Sequence, residues 1–302
     1  MSASPPLVRR GIALVLVIWA TALLTVTLGG FVLIARAESL IARHHLDGVR
    51  ARLAAEAGIH HAAYKLSELE PTARWIGDGR SYRLQIGDAE VEVALTDESG
   101  KIDLNAADEA VLKSLFVQTG GLPEEEAAAL ADAILDWRDE DDLVRANGAE
   151  REDYRRAGFP YVPSNRAFAT VEELLQVMGM SYPLFQRVEP ALTVHSGMSQ
   201  PNPAFAPLEA LMVFPGMTEA LASSLIQQRQ QVPPEMMGQP IGQLPDGTPV
   251  ISQFGGLAYS IRVRAVLPTG ASREFHYTIR LGMQARAGRP FHVLRFREGD
   301  PS

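Results

Sequence analysis

The chain has 302 residues, 46% of them apolar and 21% charged, a balance that supports folded cores and a prior of about two domains. Its net charge of −8 argues against a protein that holds nucleic acid by neutralising phosphates. It has no cysteine, which excludes disulfides, thiol catalysis and cysteine metal sites.

Arg9, Arg10 and Gly11 precede a run without a charged residue from Ile12 to Ala35. As a helix this run is about 36 Å long, enough to cross a bilayer core of about 30 Å. Three readings fit it: a cleaved secretory signal, a plain anchor, or a pilin-like helix cut just after the glycine. The signal reading has Ala35-Arg36-Ala37 as a cleavage site and would start the mature chain at Glu38. Against it, the helical pattern continues without a proline to Pro71. Leu46, Val49, Leu53, Ala57 and Tyr64 fall on one helical face, so residues 36–70 read as an amphipathic continuation that packs on a globular head. Gly48 and Gly58 are soft points, each costing about 1 kcal/mol relative to Ala. The arginines would hold the N-terminus in the cytoplasm and place the rest across the membrane.

Residues 71–103 read as strands. Leu84 and Ile86 alternate with polar residues, as do Val91, Val93 and Leu95, around a Gly87-Asp88 turn. Residues 104–200 read as a helical block. It holds two strong helices, a charged loop over 138–165, and two short helices around Gly179. Residues 201–235 form a second helix-turn-helix unit after an irregular link. Residues 236–302 begin as a Pro/Gly-rich loop and end in about three strands, marked by Ile261, Val263, Ala265, then Phe275, Tyr277, Ile279, Leu281, then Val293 and Phe296.

The two helical units repeat. Residues Val171–Met180 align without gaps to Leu208–Met217, matching Gly179 with Gly216 and Met180 with Met217. Such helix-hairpin-helix elements often bind phosphates through turn amides. Here the surroundings are acidic, and protein–protein packing is the better reading. An anchored protein that binds extracytoplasmic DNA through them is the alternative function.

The loop around 136–153 is dense in carboxylates. Calcium takes six to eight oxygens, but the spacing fails the EF-hand pattern, with no glycine at the sixth position from Asp139. The residues by themselves favour a solvated loop neutralised by Arg138, Arg145 and Arg151. The adjacent pairs His44-His45 and His60-His61 point about 100° apart on a helix and form no bidentate site. No G-x-S-x-G, P-loop, H-E-x-x-H or G-x-G-x-x-G motif is present, so nothing supports an enzyme.

The R-R-G leader, the apolar helix, and "DESGKIDLNAAD", "ADAILDWRDEDD", "NGAEREDY", "PYVPSNRAFATVEELLQVMGM", "EPALTV" and "LEALMVFPGM" together resemble the K minor pseudopilins of bacterial type II secretion systems. The resemblance runs from Arg10 to Phe296. It implies an α+β fold: a pilin-like long N-terminal helix and antiparallel sheet, interrupted by a large all-α, SAM-like or helix-hairpin-helix insertion. It implies a leader over 1–11, removed after Gly11 by a prepilin peptidase, and a methylated Ile12 amine on a membrane helix over 12–35. It implies a non-enzymatic subunit with one inner-membrane pass and a periplasmic head. That subunit would cap the pseudopilus tip with other minor pseudopilins, above a fibre of the major one. Leu16 stands where most pilin-type proteins carry glutamate, and the resembled K family likewise lacks that glutamate. A buried glutamate would pair with a neighbour's terminal amine, and leucine cannot, which fits a tip position. The resemblance also implies calcium in the insertion, with Asp139, Asp141, Glu150 and Asp153 as ligands. The "QPNPAF" link departs from the family's asparagine-threonine-alanine pattern.

Overall fold

The computed structural model describes residues 10–282 and 290–299. Arg9 and the rest of the leader up to it lie outside the described residues. One helix, α1, runs from Arg10 to Leu66, 57 residues or roughly 85 Å. It is the one helix among the described residues long and apolar enough to cross a membrane. Its apolar half stands clear of the rest of the molecule, with Leu16, Trp19, Val26 and Phe31 all exposed. The hydroxyls here are satisfied within the helix. Thr21 Oγ1 donates to Val17 O at 2.9 Å, Thr25 Oγ1 to Thr21 O at 2.7 Å and Thr27 Oγ1 to Leu23 O at 3.0 Å, as a lipid surround demands.

The C-terminal half of α1 lies on a five-stranded antiparallel sheet of order β1-β2-β7-β8-β9. The strands are β1 (Asp78–Ile86), β2 (Ala89–Asp97), β7 (Ala258–Val266), β8 (Ser272–Leu281) and β9 (Phe291–Glu298). The expected Gly87-Asp88 hairpin joins the first two. One face of the helix, Ala51, Ala54, Ala55, Ile59, Ala62, Ala63 and Leu66, is buried against Val91, Val93, Ile261, Val263 and Phe275. Gly58 is no soft point here. A Cβ on it would lie 2.8 Å from Val91 Cγ1 and 3.1 Å from Val263 Cγ1, so glycine is what lets helix and sheet approach.

The face expected to pack is the other one. Leu46, Val49, Leu53 and Tyr64 do share a face, but they are 51–60% exposed and point away from the sheet. The reason is steric. Small alanines fit a close helix–sheet contact over valines, and the larger residues do not.

Between β2 and β7 the chain leaves the sheet. Strands β3 (Ile102–Asp103) and β4 (Leu192–Thr193) pair in parallel and form the neck of the insertion. Above it lie α2 (Glu109–Gln118), α3 (Glu124–Arg138), α4 (Arg151–Arg156), a 3-10 turn over Val171–Gln176, and α5 (Tyr182–Val188). The second unit is α6 (Leu208–Leu211) and α7 (Glu219–Gln231). Gly179 and Gly216 sit at φ +91° and +75°, the left-handed turn that the repeat required. Three features were not expected. Strand β4 lies within the block read as helical, helix α4 lies within the charged loop, and a hairpin of β5 (Pro240–Gln243) and β6 (Pro249–Ile251) lies within the Pro/Gly-rich stretch. The insertion has its own core, built on Leu112, Phe116, Ile134, Trp137, Tyr154, Leu174 and Phe205.

Candidate functional site

Two features carry function. The first is α1 itself, with the cut-site residues at its start. Its backbone is already helical at Arg10, Gly11 and Ile12. Its exposed apolar face continues past the bilayer length through Leu46, Val49, Leu53 and Tyr64, flanked by the Arg52–Glu56 pair at 2.9 Å. His60 and His61 are held by rings, Phe291 and Trp75, with centroids at 5.3 and 5.4 Å. Neither pair of histidines forms a site.

The second is the acidic loop. Helix α3 delivers Asp132 and Asp136 one turn apart on its buried face, and Asp139 caps its end. The chain returns through Gly148 to Glu150, which opens α4. A Cβ at Gly148 would collide with the Asp136 carboxylate, so the turn must be glycine. Asp132 is satisfied: its Oδ2 accepts from Asn147 N at 3.0 Å and Nδ2 at 3.2 Å. Asp136, 0% exposed, has Arg145 N–H at 3.3 Å on Oδ2, a loose ion pair to Arg145 Nε at 3.4 Å on Oδ1 and a backbone contact from Ala149.

Most of the unpartnered polar atoms gather here. The buried side-chain atoms without a hydrogen bond among the described residues include Asp136 Oδ1, Asp139 Oδ1, both Glu150 oxygens and Asn165 Oδ1. Outside this loop only Arg74 Nε and Trp137 Nε1 join them. Asn165 is also the one described non-glycine residue with positive φ, at 47°. Burial, then the negative charge of Asp136, pushes the Glu150 carboxyl up to about 7. Burial also raises Asp136 and Asp139 above the usual carboxylate range, each with a neighbouring aspartate adding to the effect.

Of the four expected ligands, Asp139 and Glu150 are in this cluster with unpartnered oxygens. Asp141 is exposed, and its Oδ1 accepts from Leu143 N at 2.8 Å. Asp153 Oδ2 accepts from Glu150 N at 3.1 Å and its Oδ1 pairs with Arg156. Both act as local caps. Asp136 and Asn165 were missed. An aspartate one turn from another on an otherwise apolar helix face is the signal that pointed to the first; nothing local pointed to the second. Among the described residues no three carboxylates converge in metal-ligand geometry as they stand, since Arg145 lies between Asp136 and Asp139.

Neither hairpin turn has a lysine or arginine beside its glycine. Gly179 lies between Met178 and Met180, and Gly216 between Pro215 and Met217. The nearby Arg187 is spent on Gly120 O at 2.8 Å.

The molecule is thus an α+β protein with a pilin-like helix-on-sheet frame and a helical insertion, rooted by one apolar helix. Residues 93–197 match the family model described as type II secretion system (T2SS), protein K, which bears out the resemblance read from the sequence. Similar curated proteins are each named type II secretion system protein K. That of Klebsiella pneumoniae is 30% identical over 176 residues, covering 51% of this chain and 52% of the relative. That of Pectobacterium carotovorum subsp. carotovorum is 31% identical over 124 residues, covering 39% and 38%. That of Aeromonas hydrophila is 39% identical over 82 residues, covering 27% and 23%. The chain therefore spans about half the length, or less, of the curated relatives it matches. A solved chain of the GspK-GspI-GspJ complex from enterotoxigenic Escherichia coli superposes with TM-score 0.57, covering 87% of this chain and 99% of that one. At 18% identity this establishes the shared fold.

Proposed function

We propose that the protein is a minor pseudopilin of a type II secretion system, a structural subunit that caps the periplasmic pseudopilus and supports export across the outer membrane. The observation that carries this is α1: one unbroken helix, apolar all round for a bilayer length, then apolar on the face turned away from its own sheet. A helix that only anchored a domain would have no need of that second stripe. A helix that joins a bundle of similar helices would. The partners are other minor pseudopilins, as in the complex in which the Escherichia coli neighbour was solved, and below them the major pseudopilin fibre. The bulk of the insertion, and Leu16 in place of a glutamate, oppose another subunit stacking above. The helix sits in the inner membrane with its N-terminus cytoplasmic and the head periplasmic, and a prepilin peptidase cuts after Gly11.

Calcium belongs in the acidic loop on the chemistry of its donors. Asp136, Asp139, Glu150 and Asn165 present buried oxygens that make no hydrogen bond among the described residues, and a hard cation takes such oxygens. Bound there, it would supply the charge that Arg145 supplies only loosely. It would tie the end of α3 to the start of α4. Its role is structural.

The experiment is the mass of the N-terminal peptide of the protein extracted from bacterial membranes. A start at Ile12 with one added methyl is expected, and Gly11→Ala should leave the leader in place. A start at Glu38 would make the apolar run a signal peptide. An intact Met1 would make it a plain anchor. Either result would remove the pseudopilin reading.

A further inference from the structure

The sheet has a second face, turned from α1 toward the insertion, and it is polar. The strand register places Ala94 of β2, Arg262 of β7, His276 of β8 and Arg297 of β9 side by side in one cross-strand row. Strands lie about 4.8 Å apart, so three basic side chains stand in a line about 10 Å long. Like charges set directly opposite one another in a sheet are unfavourable unless something compensates them. For most of this surface something does. His276 Nε2 lies 2.9 Å from Glu274 Oε1. Arg297 is 4.0 Å from Glu189, and Arg295, one row along, pairs with Glu172 and Glu189. Lys101 Nζ lies 2.7 Å from Glu98 Oε1.

Within this row Arg262 is the exception. It makes no hydrogen bond or ion pair among the described residues. It lines a cavity of about 470 Å3 floored by this sheet face and roofed by Glu189, Pro190 and Pro207 of the helical part. The cavity exists because its floor is made of small residues, Ala94, Thr96 and Ser260. Larger side chains there would have filled it. The Thr96 hydroxyl is likewise without a partner among the described residues and is available as a donor beside the guanidinium.

We infer that this cavity is a carboxylate-binding site, with Arg262 as its anchor. The chemistry is a charge-assisted, two-pronged contact between a planar guanidinium and a planar carboxylate. Lys101, Arg295 and Arg297, the other cations of the lining, are each paired with a glutamate. The one acid in the lining, Glu189, is already held by Arg295 and Arg297, and Glu92 and Glu274, which share an adjoining hollow with Arg262, form no hydrogen bond or ion pair with it among the described residues. The carboxylate can come from an acidic side chain on an extended peptide segment of another protein, or from a free small polycarboxylate. The inference does not depend on the secretion role.

The test uses the full chain in detergent micelles at low ionic strength, where such contacts are least screened. A fluorescently labelled acetyl-tetra-aspartate peptide is titrated and binding is read by polarisation, with citrate as competitor. Binding is expected, weakened at least about tenfold by Arg262→Ala, which removes the anchor. It should weaken comparably with Ala94→Leu, which fills the floor without changing charge. Arg83→Ala, on the same sheet face but outside the cavity, should change nothing. Citrate that displaces the peptide at matching concentration identifies a free polycarboxylate as the natural class. Citrate that does not compete identifies a peptide side chain. No binding of either at about 10 mM, roughly the weakest affinity such a site would show, overturns the inference. Binding that survives Arg262→Ala or Ala94→Leu overturns it, as does an equal loss in Arg83→Ala. Circular dichroism of each variant checks that the fold is retained, as expected for the exposed Arg262.

Discussion

The described residues form two hydrophobic cores, and they are filled differently. Beneath α1 the helix contributes mostly alanines and the central strands valines, with larger residues such as Ile59, Leu66, Tyr259 and Phe275 around them, and the helix sits so close to the sheet that Gly58 has no room for a methyl group. In the insertion an aromatic cluster fills the space: Trp137 meets Tyr154 and Tyr161, and Tyr154, Phe159 and Tyr161 meet one another, with ring centroids 5.3–6.3 Å apart. Polar contacts dominate the seam between the two. Glu98 accepts from Thr193, Ser260 and Lys101, and Arg229 donates to Asp78 O, Pro203 O and Ala206 O. A repeating contact can be built from small residues along a regular helix. A set of short helices with irregular links has to be filled by large side chains that reach across.

The sharpest way to break this comparison is to damage each core alone. Phe116→Ala in the insertion should cost about 4 kcal/mol, the usual toll of deleting a buried ring. Gly58→Leu should cost about 2 kcal/mol by overpacking the helix–sheet contact. If the cores are independent, the double variant should show the sum within about 0.5 kcal/mol in urea titrations of the micelle-bound chain. A larger departure would mean that the seam transmits strain and that the two cores act as one.

Calcium should act on one region only. At about a hundred times its dissociation constant it should stabilise the insertion by about 2.7 kcal/mol and leave the helix-on-sheet part unchanged. Hydrogen exchange of α3 and α4 against β2 and β7 reads this directly. Asp136→Asn and Glu150→Gln should each abolish the stabilisation. Asp141→Asn should retain most of it, because Asp141 Oδ1 is engaged by Leu143.

The seam should give a smaller, pH-dependent effect. His195 is half-buried at the neck, facing Glu98, Asp103, Lys101 and Arg280, and burial lowers its pKa despite the pull of Glu98. A base whose folded pKa lies below its unfolded value takes up protons more readily when unfolded. The stability it allows is therefore present above about 6.5 and is lost as pH falls through that value. In calcium-saturated protein, so that the acidic loop stays silent, stability should decline from pH 7 to pH 5. His195→Gln should flatten that decline.

The two regions also differ in how much of them could be read. The hairpin at Gly87-Asp88, the three closing strands, and the paired turns at Gly179 and Gly216 follow from period and from glycine, because each is a local pattern. The α5 start at Ser181, whose Oγ accepts from Leu184 N, is equally local. The acidic cluster was visible as composition but not as geometry. Which oxygens lose their partners depends on where a loop from 139 to 150 folds back, and on Asn165 arriving from a different segment. Helix α4 and the 240–251 hairpin were hidden by charge and by proline, since both are held by tertiary contacts. The carboxylate cavity depends on register between strands that are more than 150 residues apart in sequence.

The smallest expected effect on the isolated chain is the most telling for its role. Leu46, Val49, Leu53 and Tyr64 have the spacing of a packing face, and spacing alone placed them against the head. The alanines on the opposite side took that position, because only small residues fit the close approach to the sheet. The leucine stripe was left facing outward, and an outward apolar stripe costs a monomer solubility without adding to its stability. Leu53→Glu should therefore change the unfolding free energy of the isolated chain by less than about 0.5 kcal/mol, as for an ordinary surface position. In cells the same substitution should sharply reduce crosslinking of α1 to other pseudopilins and reduce secretion with it. Ala55→Glu, on the buried face, should instead unfold the head. If Leu53→Glu destabilised the isolated chain, the stripe would belong to the protein's own core. If it left both crosslinking and secretion intact, α1 would be an anchor alone, and the helix-to-helix contact on which the proposed assembly rests would have to be sought elsewhere.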